Sequence, residues 1–97
     1  MPDLDVVAVL KAKPGSERIV RDALHALVEP TRNEEGCVSY ELFDSVADPT
    51  TFITLEKWRS QADLDAHMGT PHIAQALTVA AEHLDGAPGI HPLSVVT

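Results

Sequence analysis

Apolar and polar positions recur along this chain with two different periods, and the changes of period mark out its elements. From Leu4 to Ala12 the run is apolar on both alternating faces, with Val6, Ala8 and Leu10 on one and Val7 and Val9 on the other, which predicts a strand covered on both sides. Pro14-Gly15 ends it, Ser16 stands where a helix cap would, and Ile19, Val20, Ala23, Leu24, Leu27 and Val28 then recur at helical spacing. Pro30 has no backbone donor, so this helix is expected to bend or stop near Glu29, with only a weak continuation towards Glu34 before Gly36. Two runs rich in β-branched and aromatic residues follow, Cys37 to Asp44 and Thr51 to Trp58, and the turn-forming segment 45–50 between them predicts a hairpin.

Ser60 with Asp63 three residues later resembles a capping box, Leu64 and Met68 lie one turn apart, and Gly69 suits a stop, so a short helix is expected there. Thr70 and Pro71 then supply the cap and first residue of another helix, with Ile73, Ala76, Leu77, Ala80 and Leu84 as its apolar stripe and Gly86 as its end. Ile90 to Val96 reads as a last strand, and Pro92 within it assigns it to a sheet edge. The order β-α-β-β-α(α)-β is the split βαβ of a ferredoxin-like α+β fold: a four-stranded antiparallel sheet with helices on one face, in a single domain over residues 1–97. Strands one and two are apolar on both faces, so the uncovered face would leave an apolar patch in water. A second copy packed there, a homodimer through the open sheet face, is the expected cover. The C-terminal residues could fold back over it instead, but they are needed as a strand.

Composition adds exclusions. Seven Lys and Arg against fifteen Asp and Glu give a net charge of −8, so phosphate backbones and anionic lipid surfaces should repel the chain, and nucleic acid and membrane are not expected partners. The longest clear apolar run, Val6 to Leu10, is far short of the roughly 20 residues of a membrane helix. With one cysteine, Cys37, no intrachain disulfide forms, and the start Met1-Pro2-Asp3-Leu4-Asp5 does not look like a secretion signal, so a cytoplasmic location is expected.

Several segments carry a family likeness: Leu55-Glu56-Lys57-Trp58, then Leu64-Asp65-Ala66-His67-Met68 and Thr70-Pro71-His72, with Lys13-Pro14-Gly15 before the first helix and Glu35-Gly36-Cys37 and Tyr40 leading into strand two. In order and spacing they resemble the antibiotic-biosynthesis monooxygenase superfamily, its quinol monooxygenases most of all. The resemblance implies a homodimeric α+β barrel with a cavity in each protomer between helices and sheet. It also implies oxidation of a quinol-like or polyketide-like aromatic without a cofactor.

Such chemistry requires a base, donors for the resulting anion and a dry pocket. His67 and His72, near the break between the two short helices, are the candidates for base or anion holder, since histidine moves protons near neutrality; a partly exposed surface histidine is the plain alternative for each. Trp58 is either a wall stacked on a substrate ring or core packing. Tyr40 is a polar pocket contact or core filler with its hydroxyl at the rim. Glu56 shares a side of its strand with Trp58 and is either a base near the pocket or, more simply, half of an ion pair with Lys57 or Arg59. Cys37 lacks a local activating base and reads as a small hydrophobe, while His25, His83 and His91 read as surface residues.

Metal is not expected, because His67 and His72 straddle a helix break and no neighbouring Cys or acidic residue completes a ligand set. Haem degradation within the superfamily uses an asparagine of the first strand, and the only asparagine here is Asn33. No phosphate-cradling glycine loop or dinucleotide fingerprint is present, so no cofactor is expected. Two rival functions remain at this level. One is an isomerase of a phosphorylated signalling sugar, a class that shares the fold and a Thr-Pro-His segment but needs cations; the other is a non-enzymatic small-molecule-binding dimer whose cavity is filled.

Overall fold

The computed structural model of the protein describes residues 3–97; Met1 and Pro2, at the start read above, lie outside them. Its elements are β1 (Leu4–Lys11), α1 (Glu17–Arg32), β2 (Cys37–Asp44), β3 (Thr51–Trp58), α2 (Gln61–Met68), α3 (Pro71–Ala80) and β4 (Gly89–Pro92). The strands form one antiparallel sheet in the order β2-β3-β1-β4, so the fold is α+β and ferredoxin-like, and β2 and β3 have the bounds expected of the hairpin.

Strand alternation decides which side chains meet the helices. Val6 pairs with Glu56, Ala8 with Thr54 and Leu10 with Phe52, and these rows, with Trp58 and Tyr40, are buried beneath α1, α2 and α3. The helices answer with Val20, Leu24 and Leu27 of α1, Leu64 and His67 of α2 and Ile73 of α3. On the opposite face Val9, Phe43 and Leu55 stay exposed. The molecule is only 19 Å thick, the depth of one sheet and one helix layer, because layers stack at about 10 Å. A larger core cluster gathers around Leu10, Leu24 and Phe52, and a smaller one joins Val6, Tyr40, Trp58 and Leu64. Among the described residues no helix is long and apolar enough to cross a membrane.

Three local expectations are corrected, and one that was open is decided. α1 follows the continuation past Glu29, running through Pro30 to Arg32. The proline sits in the last turn, where it removes one helical hydrogen bond, while Asn33 N–H still donates to Glu29 and Thr31 is fully buried beneath that turn. Ser16 makes no side-chain cap, because its hydroxyl is paired with His83 Nδ1 at 3.0 Å, which leaves His83 half-buried rather than on the surface. α3 ends at Ala80 instead of reaching Gly86: Leu84 is buried by a bridge to Ala12, with Lys13 N–H donating to His83 O and Asp85 N–H to Lys11 O. The last strand ends at Pro92 rather than Val96, since it lies on the edge against β1, and β1 begins only two residues past the pairing of Val6 with Pro92.

Candidate functional site

The α1–β2 connection, α2 and the start of α3 meet at one point, and glycine is what lets them meet. A Cβ on Gly36 would fall on the side chain of Asp63, so the chain can approach the first turn of α2 closely only with glycine there. Arg59 N–H donates to Gly36 O, and Asp63 is itself held by Arg59 and Ser60, fixing the contact from both sides. His67 lies four residues after Asp63 on the same face of α2. The face that grips Gly36 through Asp63 therefore brings His67 to Glu34, just before that glycine.

Glu34 Oε2 accepts from His67 Nδ1 at 2.5 Å and from His72 Nε2 at 2.8 Å. His67 is 2% exposed, with its ring 4.6 Å from that of Trp58 and 5.9 Å from that of Tyr40. The α2–α3 break is locked as well: Thr70 Oγ1 donates to His67 O at 2.7 Å and accepts from Ile73 N–H, and Pro71 opens the next helix. A carboxylate only accepts, so each neutral imidazole turns its N–H to Glu34. For His67 this fixes the tautomer with a proton on Nδ1 and leaves Nε2 with its lone pair free.

A second carboxylate lies on the floor. Glu56, buried on β3, accepts from Trp58 Nε1 at 2.8 Å on one oxygen and from Thr54 Oγ1 at 2.5 Å on the other. Between this floor and the helices is a cavity of about 210 Å³ whose polar lining is Tyr40, Thr54, Glu56 and His67. The rest of the wall is apolar, including Leu10, Leu24, Leu27 and Ile73, while Met68, Leu77 and Ile90 are partly exposed at its edge. No lysine or arginine lines it. Burial first, and the nearby Glu56 charge second, push the Tyr40 phenol well up, so it remains an O–H donor at neutral pH.

Of the residues singled out in the sequence, Tyr40, Glu56 and His67 line the cavity, and two do not. Trp58 is wholly buried behind Glu56, so its indole positions that carboxylate and His67 rather than forming the cavity wall. His72 sits on the far side of Glu34, 23% exposed. The ion-pair reading of Glu56 is corrected: Lys57 pairs with Asp5 and Arg59 with Asp63 and Glu35, because strand alternation turns Glu56 inward and Lys57 outward. Cys37 is partly buried, and burial, then Glu34 and Glu56, raise its thiol, which keeps it protonated and unreactive. The sequence placed no acidic group beside the two histidines; the fold supplies Glu34, and the three donor atoms lie within 4.8 Å of one another.

The chain belongs to the antibiotic biosynthesis monooxygenase family, whose profile matches residues 4–79. It is 40% identical over 67 residues to Rv0793 of Mycobacterium tuberculosis, a provisionally assigned monooxygenase, covering 69% of this chain and 65% of that one, just under two thirds. The crystal structure of Rv0793 superimposes with a TM-score of 0.88 over 99% of this chain and 97% of that one, at 29% identity. YcnE of Bacillus subtilis, also provisionally a monooxygenase, is 35% identical over 81 residues, 84% of each chain. YgiN of Escherichia coli K12, whose name assigns it provisionally as a quinol monooxygenase, is 33% identical over 81 residues, 72% of this chain and 77% of that one.

Proposed function

We propose that this protein is a cofactor-independent monooxygenase of a small quinol-type aromatic, with His67 as the base that takes the substrate proton. The observation that carries the reading is a single histidine in the wall of an apolar cavity with a carboxylate bound behind it, leaving Nε2 as the proton acceptor. Tyr40 supplies a donor for the oxyanion, and Glu56, pinned by two donors, supplies an acceptor for a second hydroxyl. Deprotonation makes the ring electron-rich enough to reduce dioxygen directly. One oxygen atom then enters the product as a carbonyl, and the other leaves as water with the two hydrogens lost by the substrate.

The size and lining of the cavity narrow the substrate. At about 210 Å³ it is below the range of about 300–1,000 Å³ typical of drug-sized ligands, which favours one or two rings over an extended polyketide. A phosphorylated sugar would need cations that the wall does not carry, and open space speaks against a filled, non-enzymatic cavity. The quinol monooxygenase assignment of YgiN supports the same substrate class. A second copy across the exposed Val9, Phe43 and Leu55 completes the reading as a homodimer.

Oxygen consumption with one- and two-ring quinols tests this, with three-ring anthrones as oversized comparison compounds, product analysis in ¹⁸O₂ and no added flavin, nicotinamide or metal. Turnover of the smaller quinols with one labelled oxygen in the product is expected. Activity that appears only on adding a flavin or nicotinamide would overturn it.

A further inference from the structure

We propose that Glu34, His67 and His72 form a binding site for one divalent first-row transition ion, with zinc as its simplest occupant. This inference does not depend on the oxygenase reading. Its ligands are Glu34 Oε2, His67 Nδ1 and His72 Nε2, which come from the α1–β2 connection, α2 and the first turn of α3 and all lie within 4.8 Å of one another. Two imidazoles and a carboxylate are a donor set suited to zinc and its neighbours, and three protein ligands leave room for water.

Both nitrogens contact the same carboxylate oxygen, Oε2, so one oxygen and two nitrogens from three separate elements already sit side by side. A small set of neutral and anionic donors held together in this way is what a cation requires. Ligand bonds of about 2.0–2.2 Å in a tetrahedron set neighbouring donors about 3.3 Å apart. The two nitrogen–oxygen gaps of 2.5 and 2.8 Å would open by less than about 1 Å, and the nitrogen–nitrogen gap, within the 4.8 Å spread of the donors, would close by no more than about 1.5 Å to admit the ion.

The surroundings support it. His67 is clamped against Trp58, and Thr70 fixes the break that sets the spacing of the two histidines, so little ordering remains to be done on binding. Among the described residues the salt-bridge partners of Glu34 are the two histidines alone, so its charge meets no lysine or arginine. A net charge of −8 draws divalent cations towards the protein at long range. Glu34 and His72 are 15% and 23% exposed, which gives the ion a way in and water a place to complete its coordination.

The test uses the full chain freed of metal by chelator and dialysis, titrated with Zn²⁺ by calorimetry and with Co²⁺ by visible absorption. One equivalent of Zn²⁺ per chain is expected, with Co²⁺ d–d bands that Zn²⁺ abolishes. Glu34→Gln and the partly exposed His72→Ala should each weaken Zn²⁺ at least about 10- to 100-fold, the loss that even outer-shell changes cause. The surface double variant His25→Ala/His91→Ala should bind as the parent does, and circular dichroism verifies that every variant is folded. No saturable binding below millimolar Zn²⁺, binding unchanged in folded His72→Ala, or binding lost in the surface double variant would each overturn the proposal. Neither readout needs turnover, so a failure here leaves the oxygenase reading standing, and the reverse also holds.

Discussion

His67→Asn separates the chemistry of the site from its architecture. The asparagine amide can reach the position of imidazole Nδ1 and still donate to Glu34, but it offers nothing in place of Nε2. Loss of a positioned base costs about 10²- to 10⁴-fold in turnover, or about 2.7–5.4 kcal/mol of barrier. The packing cost is smaller: the ring contacts with Trp58 and Tyr40 are lost while the carboxylate keeps both donors, for about 1–2 kcal/mol. In a domain of this size that lowers Tm by about 4–16 °C. His67→Ala is the poorer probe, since it opens a void and strips Glu34 of one partner at about 2–4 kcal/mol, a large share of the about 5–15 kcal/mol such domains possess. Oxygen uptake for parent and His67→Asn, with thermal unfolding alongside, makes the measurement. A folded His67→Asn that retains more than about a tenth of the parental rate would refute His67 as the base, given the factor expected.

Three further outcomes follow from the same structure. Gly36→Ala should destabilise by about 1–3 kcal/mol in thermal unfolding, because its methyl group displaces Asp63, and an unchanged Tm would contradict the close approach. Arg59 first and Ser60 second hold the Asp63 carboxyl below its usual value, so its stabilisation is present above about pH 4 and is lost as pH falls through the lowered pKa; the Tm gap between parent and Asp63→Asn should therefore shrink on acidification, and a constant gap would oppose the assignment. Leu55→Glu, on the exposed sheet face, should convert a dimer seen by sedimentation at micromolar concentration into a monomer, whereas a parental monomer would remove the dimer reading altogether.

The parts of the fold legible in the sequence are those that local chemistry decides. β2 and β3 were bounded correctly because β-branched and aromatic residues fill them and turn formers separate them, and Ser60 and Thr70 both accept from the backbone N–H three residues on, as cap residues do. Ends that depend on a distant partner are not legible locally: the last turn of α1 relies on burial of Thr31, Leu84 on its bridge to Ala12, and β4 on where β1 begins. The site divides in the same way. The shared side of Glu56 and Trp58 was readable from strand alternation, yet that the indole would donate to the carboxylate was not. Glu34 is not legible in the sequence because it lies 33 and 38 residues from the histidines it joins, in a connection with no periodicity. The one signal that pointed to it was the neighbouring Gly36, a residue whose lack of a side chain implies that something comes close.

The two uses proposed for His67 exclude each other, and the reason is the tautomer. While Glu34 accepts from Nδ1–H, the lone pair is on Nε2 and that nitrogen can take a proton from a substrate. An ion bound at Nδ1 needs the lone pair there, so a neutral ring must carry its proton on Nε2, and the cavity then meets a donor where it had an acceptor. Metal occupancy should consequently switch off oxygen uptake without distorting the cavity, and chelation should restore it. His72→Ala, which lies off the cavity and removes one ligand, should blunt the inhibition while leaving most of the uncomplexed activity. Inhibition by Zn²⁺ that is undiminished in a folded His72→Ala would place the inhibitory ion elsewhere and break the link between the two roles.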